Sequence, residues 1–181
     1  MCIRDRSSAR RVSVASAIGT IIEFYEFSIY ATAAALVFSQ TFFPSLGGLQ
    51  GTVVAFATFG VAFVVRPLGA VVFGHIGDRK GRKNTLVWSL LLMGIATVGI
   101  GLLPSAATIG IAAPILLVAL RVVQGLALGG EWAGASLMTA ESSPASKRGK
   151  YGIGPQLGPA IGFILSSLTF LAVTAATTPE Q

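Results

Sequence analysis

Five long apolar stretches, residues 12–38, 52–75, 85–103, 110–140 and 151–176, fill most of this 181-residue chain. Each reaches the roughly 20 residues that a helix needs to cross the hydrocarbon core of a bilayer. Hydrocarbon offers no partner to backbone N–H and C=O groups, so a span must satisfy them within itself, and a helix does so. With 53% hydrophobic and only 11% charged residues, the chain lacks the polar surface that a soluble domain of this size requires. The expected fold is therefore an all-α membrane protein of five transmembrane helices. The first apolar run is too long for a signal-peptide core and ends in no small-residue cleavage site, so it is expected to stay in the membrane.

The net charge of +6 would suggest an acidic partner or nucleic acid in a soluble protein, but the placement of the charges points elsewhere. Arg4, Arg6, Arg10 and Arg11 precede span 1; Arg79, Lys80, Arg82 and Lys83 lie between spans 2 and 3; Lys147, Arg148 and Lys150 precede span 5. Together these are eleven of the thirteen Lys and Arg residues. The remaining links, around Pro44, Gly47 and Gly48 and around Pro104 and Ser105, carry turn residues and no charge. Short loops rich in Lys and Arg stay on the cytoplasmic side. Residues 1–11 are then a cytoplasmic tail, 12–176 five alternating spans, and 177–181 an extracytoplasmic end. Basic residues sorted by membrane side leave no nucleic-acid surface. Cys2 and His75, the single cysteine and histidine, build neither a disulfide nor a metal cluster. No cofactor is expected. The spans contain no His-Glu-xx-His and no paired aspartates, so an intramembrane enzyme lacks its residues.

Five charged residues fall inside the apolar stretches: Glu23 and Glu26 in span 1, Arg66 in span 2, Arg121 and Glu131 in span 4. An ionised side chain at mid-span costs about 2.5–3.5 kcal/mol, so five alone would cost on the order of 15 kcal/mol. They must face one another or water. On a helix Glu23, Glu26 and Tyr30 fall within about 60° of arc, and Arg121, Gln124 and Glu131 share a side of span 4. Three carboxylates against two guanidiniums leave one acid over, and removal from water favours the protonated form, so one Glu can carry a proton. The competing reading is a set of static ion pairs that fix helix register. Arg121 likewise has two readings: a fork that holds a substrate carboxylate, or a salt bridge to Glu23 or Glu26.

Glycines at small-xxx-small spacing, Gly125 to Gly129 and Gly130 to Gly134, predict close helix packing. Span 5 opens with Gly152, Gly154, Pro155, Gly158, Pro159 and Gly162, and these two prolines and four glycines are expected to weaken its backbone ladder and kink it. Between spans 2 and 3 the segment 74–83 reads Gly-His-Ile-Gly-Asp-Arg-Lys-Gly-Arg-Lys. Gly74 and Gly77 are expected to let the helix end approach a neighbour, Asp78 to accept from nearby N–H groups, and Gly81 to allow a tight turn.

This segment, Gly74-xxx-Asp78-Arg79-x-Gly81-Arg82-Lys83, resembles the helix 2–3 signature of the major facilitator superfamily. The resemblance continues in Arg66-Pro-Leu-Gly, in Arg121-xx-Gln124-Gly-xxx-Gly-Gly-Glu131, in Pro155-Gln-Leu-Gly, and in Glu23-Phe-Tyr-Glu-Phe with Tyr30-Ala-Thr-Ala-Ala-Ala. Together these are similar to the metabolite:proton symporters, whose members carry proline or betaine, 2-oxoglutarate, citrate or shikimate. The resemblance implies a twelve-helix bacterial transporter of the inner membrane that works by alternating access. It also implies a small-molecule substrate and a proton as partners, and segment 74–83 as a cytoplasmic gating loop. The proton or substrate site is expected among Glu23, Glu26, Tyr30, Arg66, Arg121, Gln124 and Glu131. The chain stops after span 5, so it reads as an N-terminal fragment whose C-terminal half is missing, and its opening Met-Cys-Ile-Arg-Asp-Arg matches nothing in the family. The alternative from another class is a non-transporting five-span membrane partner or sensor, which composition alone allows.

Overall fold

The computed structural model describes the backbone of residues 3–142 and 148–177. Within these, the side chains of residues 3–12, 80, 82–83, 130–142, 148, 150–152 and 155 are not described. Helix α1 (Ile3–Ala33) passes through a π-helical turn (Ala34–Phe38) into a short helical end (Ser39–Phe42). A 3₁₀ turn (Pro44–Leu46) leads to α2 (Gly48–Lys80); α3 (Arg82–Gly101), a one-turn helix (Ala106–Ile109), α4 (Ala112–Ser142) and α5 (Arg148–Ala176) follow. Each of the five long elements contains a segment long and apolar enough to cross a membrane. There is no strand among the described residues.

Each long helix overruns its expected limits at one end or both, although α3 stops at Gly101 and α4 starts at Ala112, inside them, and the largest correction is at the 74–83 segment. Gly74, Asp78 and Arg79 belong to α2, which continues to Lys80, so the expected loop is a single residue, Gly81. Its φ of 92° is a backbone conformation that favours glycine, and its N–H closes the last turn on the Gly77 carbonyl at 3.0 Å. The next helix starts immediately, with the Thr85 N–H and hydroxyl both directed to the Gly81 carbonyl. Polar residues just beyond a span do not end a helix, because hydropathy marks where the hydrocarbon stops and the backbone ladder continues into water. Gly74 also departs from expectation: it is exposed and a Cβ there would meet nothing within 4 Å, whereas Gly77 is buried against Thr85.

The exterior is apolar. Trp88 is 68% exposed, and Val64, Val71, Ile95, Leu116 and Leu168 are exposed with it. On α1 the arrangement is inverted relative to a soluble helix: Ser13, Ser16, Thr20, Glu23, Glu26 and Tyr30 are buried while Val14, Ile18 and Ile22 are exposed, as are Leu36 and Val37 of the π-helical turn that follows. In water this would be unstable, and in a bilayer it is the arrangement that keeps polar groups from lipid.

The chain forms two compact units. One comprises residues 1–29 with 135–181, the other Tyr30–Gly134. In the first, α1 and α5 run parallel: Gly154, Gly158 and Gly162 meet Ser13, Thr20 and the Ile21–Tyr25 backbone in that order. A Cβ on Gly162 would lie 2.7 Å from the Ile21 carbonyl oxygen, so only glycine permits this approach. The helix is continuous through Pro159, and the glycines expected to weaken it are instead its packing surface. Farther along, Ser28 and Ser166 hydroxyls are 2.7 Å apart and Tyr25 and Thr169 hydroxyls 3.2 Å.

In the second unit, neighbours in sequence are antiparallel. Tyr30 meets Thr58 while Ser39 meets Gly51, and Gly99 meets Leu120 while Thr97 meets Gln124. Helices α2 and α4 are parallel, with Ala62 against Gly125 and Arg66 against Gly129. The links at 43–47 and 102–111 therefore lie at one end of this unit and Gly81 at the other. An apolar cluster of Tyr30, Ala34, Phe42, Ala55, Ile100, Ala113 and Leu117 packs toward the end that carries the two uncharged links.

Candidate functional site

Arg121 is the centre of the polar interior of the second unit. On α4 it has 3% of its surface exposed, and Gln124, one turn on and on the same face, has 1%. The Arg121 guanidinium carbon lies 3.1 Å from the centroid of the Tyr30 ring and 5.6 Å from that of Phe59. Those rings are stacked on each other with centroids 5.9 Å apart. A cation on the negative face of an aromatic ring, away from water, gains about 2 kcal/mol or more, which partly offsets removal of the charge from water.

At one edge of the guanidinium, Arg121 Nη1–H donates to Gln124 Oε1 at 2.5 Å. Gln124 Nε2–H donates to Thr97 Oγ1 at 2.9 Å, and the Thr97 hydroxyl donates to the Met93 carbonyl at 2.8 Å. On the other side, the Tyr30 and Thr58 hydroxyls are 2.6 Å apart, and Thr58 donates to the Ala55 carbonyl at 2.6 Å. A threonine has one hydroxyl proton, so the Tyr30 phenol is the donor to Thr58. The set thus joins α1, α2, α3 and α4 through Tyr30, Thr58, Thr97, Arg121 and Gln124. Its closest helix contact is through glycines: Gly69, Gly125 and Gly129 each face backbone atoms of the opposite helix in the α2–α4 pair.

Of the residues expected at the site, the structure brings Tyr30, Arg121 and Gln124 together. Glu23 and Glu26 are buried in the first unit, on a stripe of α1 next to the one that faces α5. Arg66 is half-buried on α2, its guanidinium carbon 5.2 Å from the Phe63 ring and its backbone carbonyl against Gly129. The side chain of Glu131 lies outside the described residues, as do those of Arg82 and Lys83 and the whole of Lys147. Asp78 and Arg79 are exposed in the last turn of α2.

Thr58, Phe59 and Thr97 are absent from the sequence-based set. For Thr58 a signal existed: on the face of α2 formed by Gly51, Ala55, Thr58, Ala62 and Gly69 it is the only hydroxyl among small residues. For Thr97 there was none, because a hydroxyl in an apolar helix is satisfied by the carbonyl of its own preceding turn and leaves no mark in the sequence.

The sequence pattern of the family described as "Sugar (and other) transporter" matches residues 12–180. An inner membrane metabolite transport protein of Escherichia coli K12, YhjE, is 57% identical over 97% of this chain, and the shikimate transporter of the same organism is 50% identical over 97%. The chain spans about 40% of the length of each of these relatives. No solved structure matches it.

Proposed function

The chain belongs to the sugar (and other) transporter family of the major facilitator superfamily, and from that premise we propose that it forms the N-terminal part of a proton-coupled symporter. The solute is a small organic acid or zwitterion, carried across the cytoplasmic membrane of a bacterium by alternating access with the N-terminus inside. The remainder of the site comes from a C-terminal half. The relatives of known name support transport of a small metabolite; the topology rests on the basic residues at 4–11, 79–83 and 147–150.

The observation that carries this reading is the burial of Arg121 in a hydrogen-bonded set that joins four helices under an apolar exterior. A guanidinium is charged at every physiological pH and presents its donors as a planar fork, which suits a carboxylate. In this reading Arg121 holds the substrate anion or sets the proton affinity of a carboxylate, and Glu26 or Glu23 takes up the proton. Rocking between outward and inward states changes the solvation of that carboxylate and so its affinity for the proton.

The test is uptake by the full-length protein of labelled shikimate, 2-oxoglutarate, citrate and betaine, with and without an uncoupler. Glu23→Gln or Glu26→Gln is expected to abolish uphill, pH-driven accumulation and to leave exchange at equal concentrations. Arg121→Lys is expected to impair both, since a point charge does not reproduce the fork. Undiminished pH-driven accumulation in both Glu variants would remove helix α1 from the proton path and leave Glu131 as the candidate.

A further inference from the structure

Two threonines without charge or motif stand at the ends of the Arg121 network, and both use their one hydroxyl proton on a carbonyl of their own helix. Thr97 donates to Met93 and Thr58 to Ala55. A carbonyl only accepts, so each hydroxyl is left with lone pairs to offer its other neighbour. Thr97 can then only accept from Gln124. That requirement turns the Gln124 amide with its NH2 toward α3 and its oxygen toward Arg121. Thr58 can only accept from Tyr30, which fixes the phenol O–H toward α2 and with it the tilt of the ring beneath the guanidinium.

We infer that Thr97, acting through Gln124, and Thr58, acting through Tyr30, are positioning residues that set the plane and direction of the Arg121 guanidinium. The inference rests on the reading that Arg121 holds the substrate anion. A fork gives two parallel hydrogen bonds to a carboxylate only when the two groups share a plane, so a guanidinium that rotates out of its plane loses one of them. Removing the Thr97 hydroxyl takes away the acceptor on α3 that distinguishes the two orientations of the Gln124 amide. The flipped orientation would set an NH2 against an N–H of Arg121, donor facing donor, and drive the guanidinium off the Tyr30 face.

The experiment measures the concentration dependence of initial uptake of labelled shikimate by the full-length protein, normalised to folded transporter. If the parent does not accumulate shikimate, the same series is read with 2-oxoglutarate, citrate or betaine. Thr97→Val keeps the shape and removes the hydroxyl; it is expected to raise KM about tenfold, the effect of one lost bond, while the maximal rate changes by less than about threefold. Thr97→Ser restores KM. Gln124→Met reproduces the Thr97→Val effect, and the double variant is no worse than either alone, because both act through one guanidinium. Thr58→Val and Thr58→Ser are read in the same way. An unchanged KM in Thr97→Val, including the case where only the amount of folded protein falls, would make these threonines merely structural and overturn the inference. A parent-like KM in Arg121→Lys would instead overturn the reading of Arg121 as the anion-holding group.

Discussion

Replacing Gly129 by alanine tests whether the α2–α4 contact is as close as the structure has it. A Cβ at Gly129 would lie 2.5 Å from the Ala70 backbone nitrogen and 2.9 Å from the Gly69 carbonyl carbon, and nearer still to the Arg66 carbonyl oxygen. Optimal non-bonded separations are about 3.5–4.0 Å, so the helices must part by roughly 1 Å, and none of the opposing atoms is a side chain that can rotate away. Two effects compete. Alanine is favoured over glycine in a helix interior by about 1 kcal/mol, and overpacking a tight contact costs about 1–3 kcal/mol. The second wins at Gly129, for a net loss of up to about 2 kcal/mol, or about thirtyfold in the folding equilibrium.

Gly60 of α2 and Gly94 of α3 are the controls, since a Cβ at either meets nothing within 4 Å. Their alanine variants keep only the propensity gain. Gly99 falls between, because its nearest neighbours are the flexible Leu120 methyls at 3.3 and 3.4 Å. Unfolding in mixed micelles of dodecyl maltoside and sodium dodecyl sulfate, followed by far-ultraviolet circular dichroism, should therefore order the midpoints as Gly60→Ala and Gly94→Ala highest, Gly99→Ala next, Gly129→Ala lowest. If Gly129→Ala unfolds at the same midpoint as Gly60→Ala, the helices do not approach as closely as described and the reasoning fails.

Gly158→Ala sets a Cβ 2.6 Å from Thr20 Cβ and, with the same propensity gain set against overpacking, should destabilise the α1–α5 pair by up to about 2 kcal/mol in the same titration, whereas Gly149→Ala, in open space, should not. Tyr30→Phe removes the hydrogen bond to Thr58 and keeps the ring under Arg121, so it should cost about 1 kcal/mol, while Tyr30→Ala should cost about 3 kcal/mol or more; equal losses would mean that the ring does not support the guanidinium. With Cys2 replaced by serine, single cysteines at Ser45 and Asp78, at opposite ends of the second unit, should react with an impermeant maleimide from opposite sides of the membrane, Ser45→Cys from outside intact cells and Asp78→Cys only after lysis. Labelling of both from outside would refute the topology.

How much of this was legible in the sequence depends on whether the cause is local. The five helices were, because hydrocarbon forces each apolar stretch to satisfy its own backbone. The polar stripe of α1 was also legible: Glu23, Glu26 and Tyr30 share a face by helical geometry alone, and all three are buried. The helix ends were not, because the charged residues at 78–80 end a hydrophobic span without ending a hydrogen-bond ladder, which only Gly81 interrupts. The glycines of α5 were visible at four-residue spacing and were read as weak points. Whether such a glycine weakens a helix or seats one depends on what stands within 3 Å of its missing Cβ, and that is a property of the neighbouring helix.

The same distinction separates Arg121 from the threonines. A charge in an apolar span announces itself through the cost of placing it there, so Arg121 stood out from the sequence, and Gln124 with it as a polar residue on the same side of the helix. Thr58 and Thr97 did not, since each satisfies its hydroxyl on the preceding turn at little cost. Their second role, as acceptors that orient Tyr30 and Gln124, arises only when antiparallel packing brings α2 against α1 and α3 against α4. Residue type fixed which groups must be hidden from lipid; the packing of four helices decided which of them meet, because hydrogen bonds between helices depend on distances that no single helix contains.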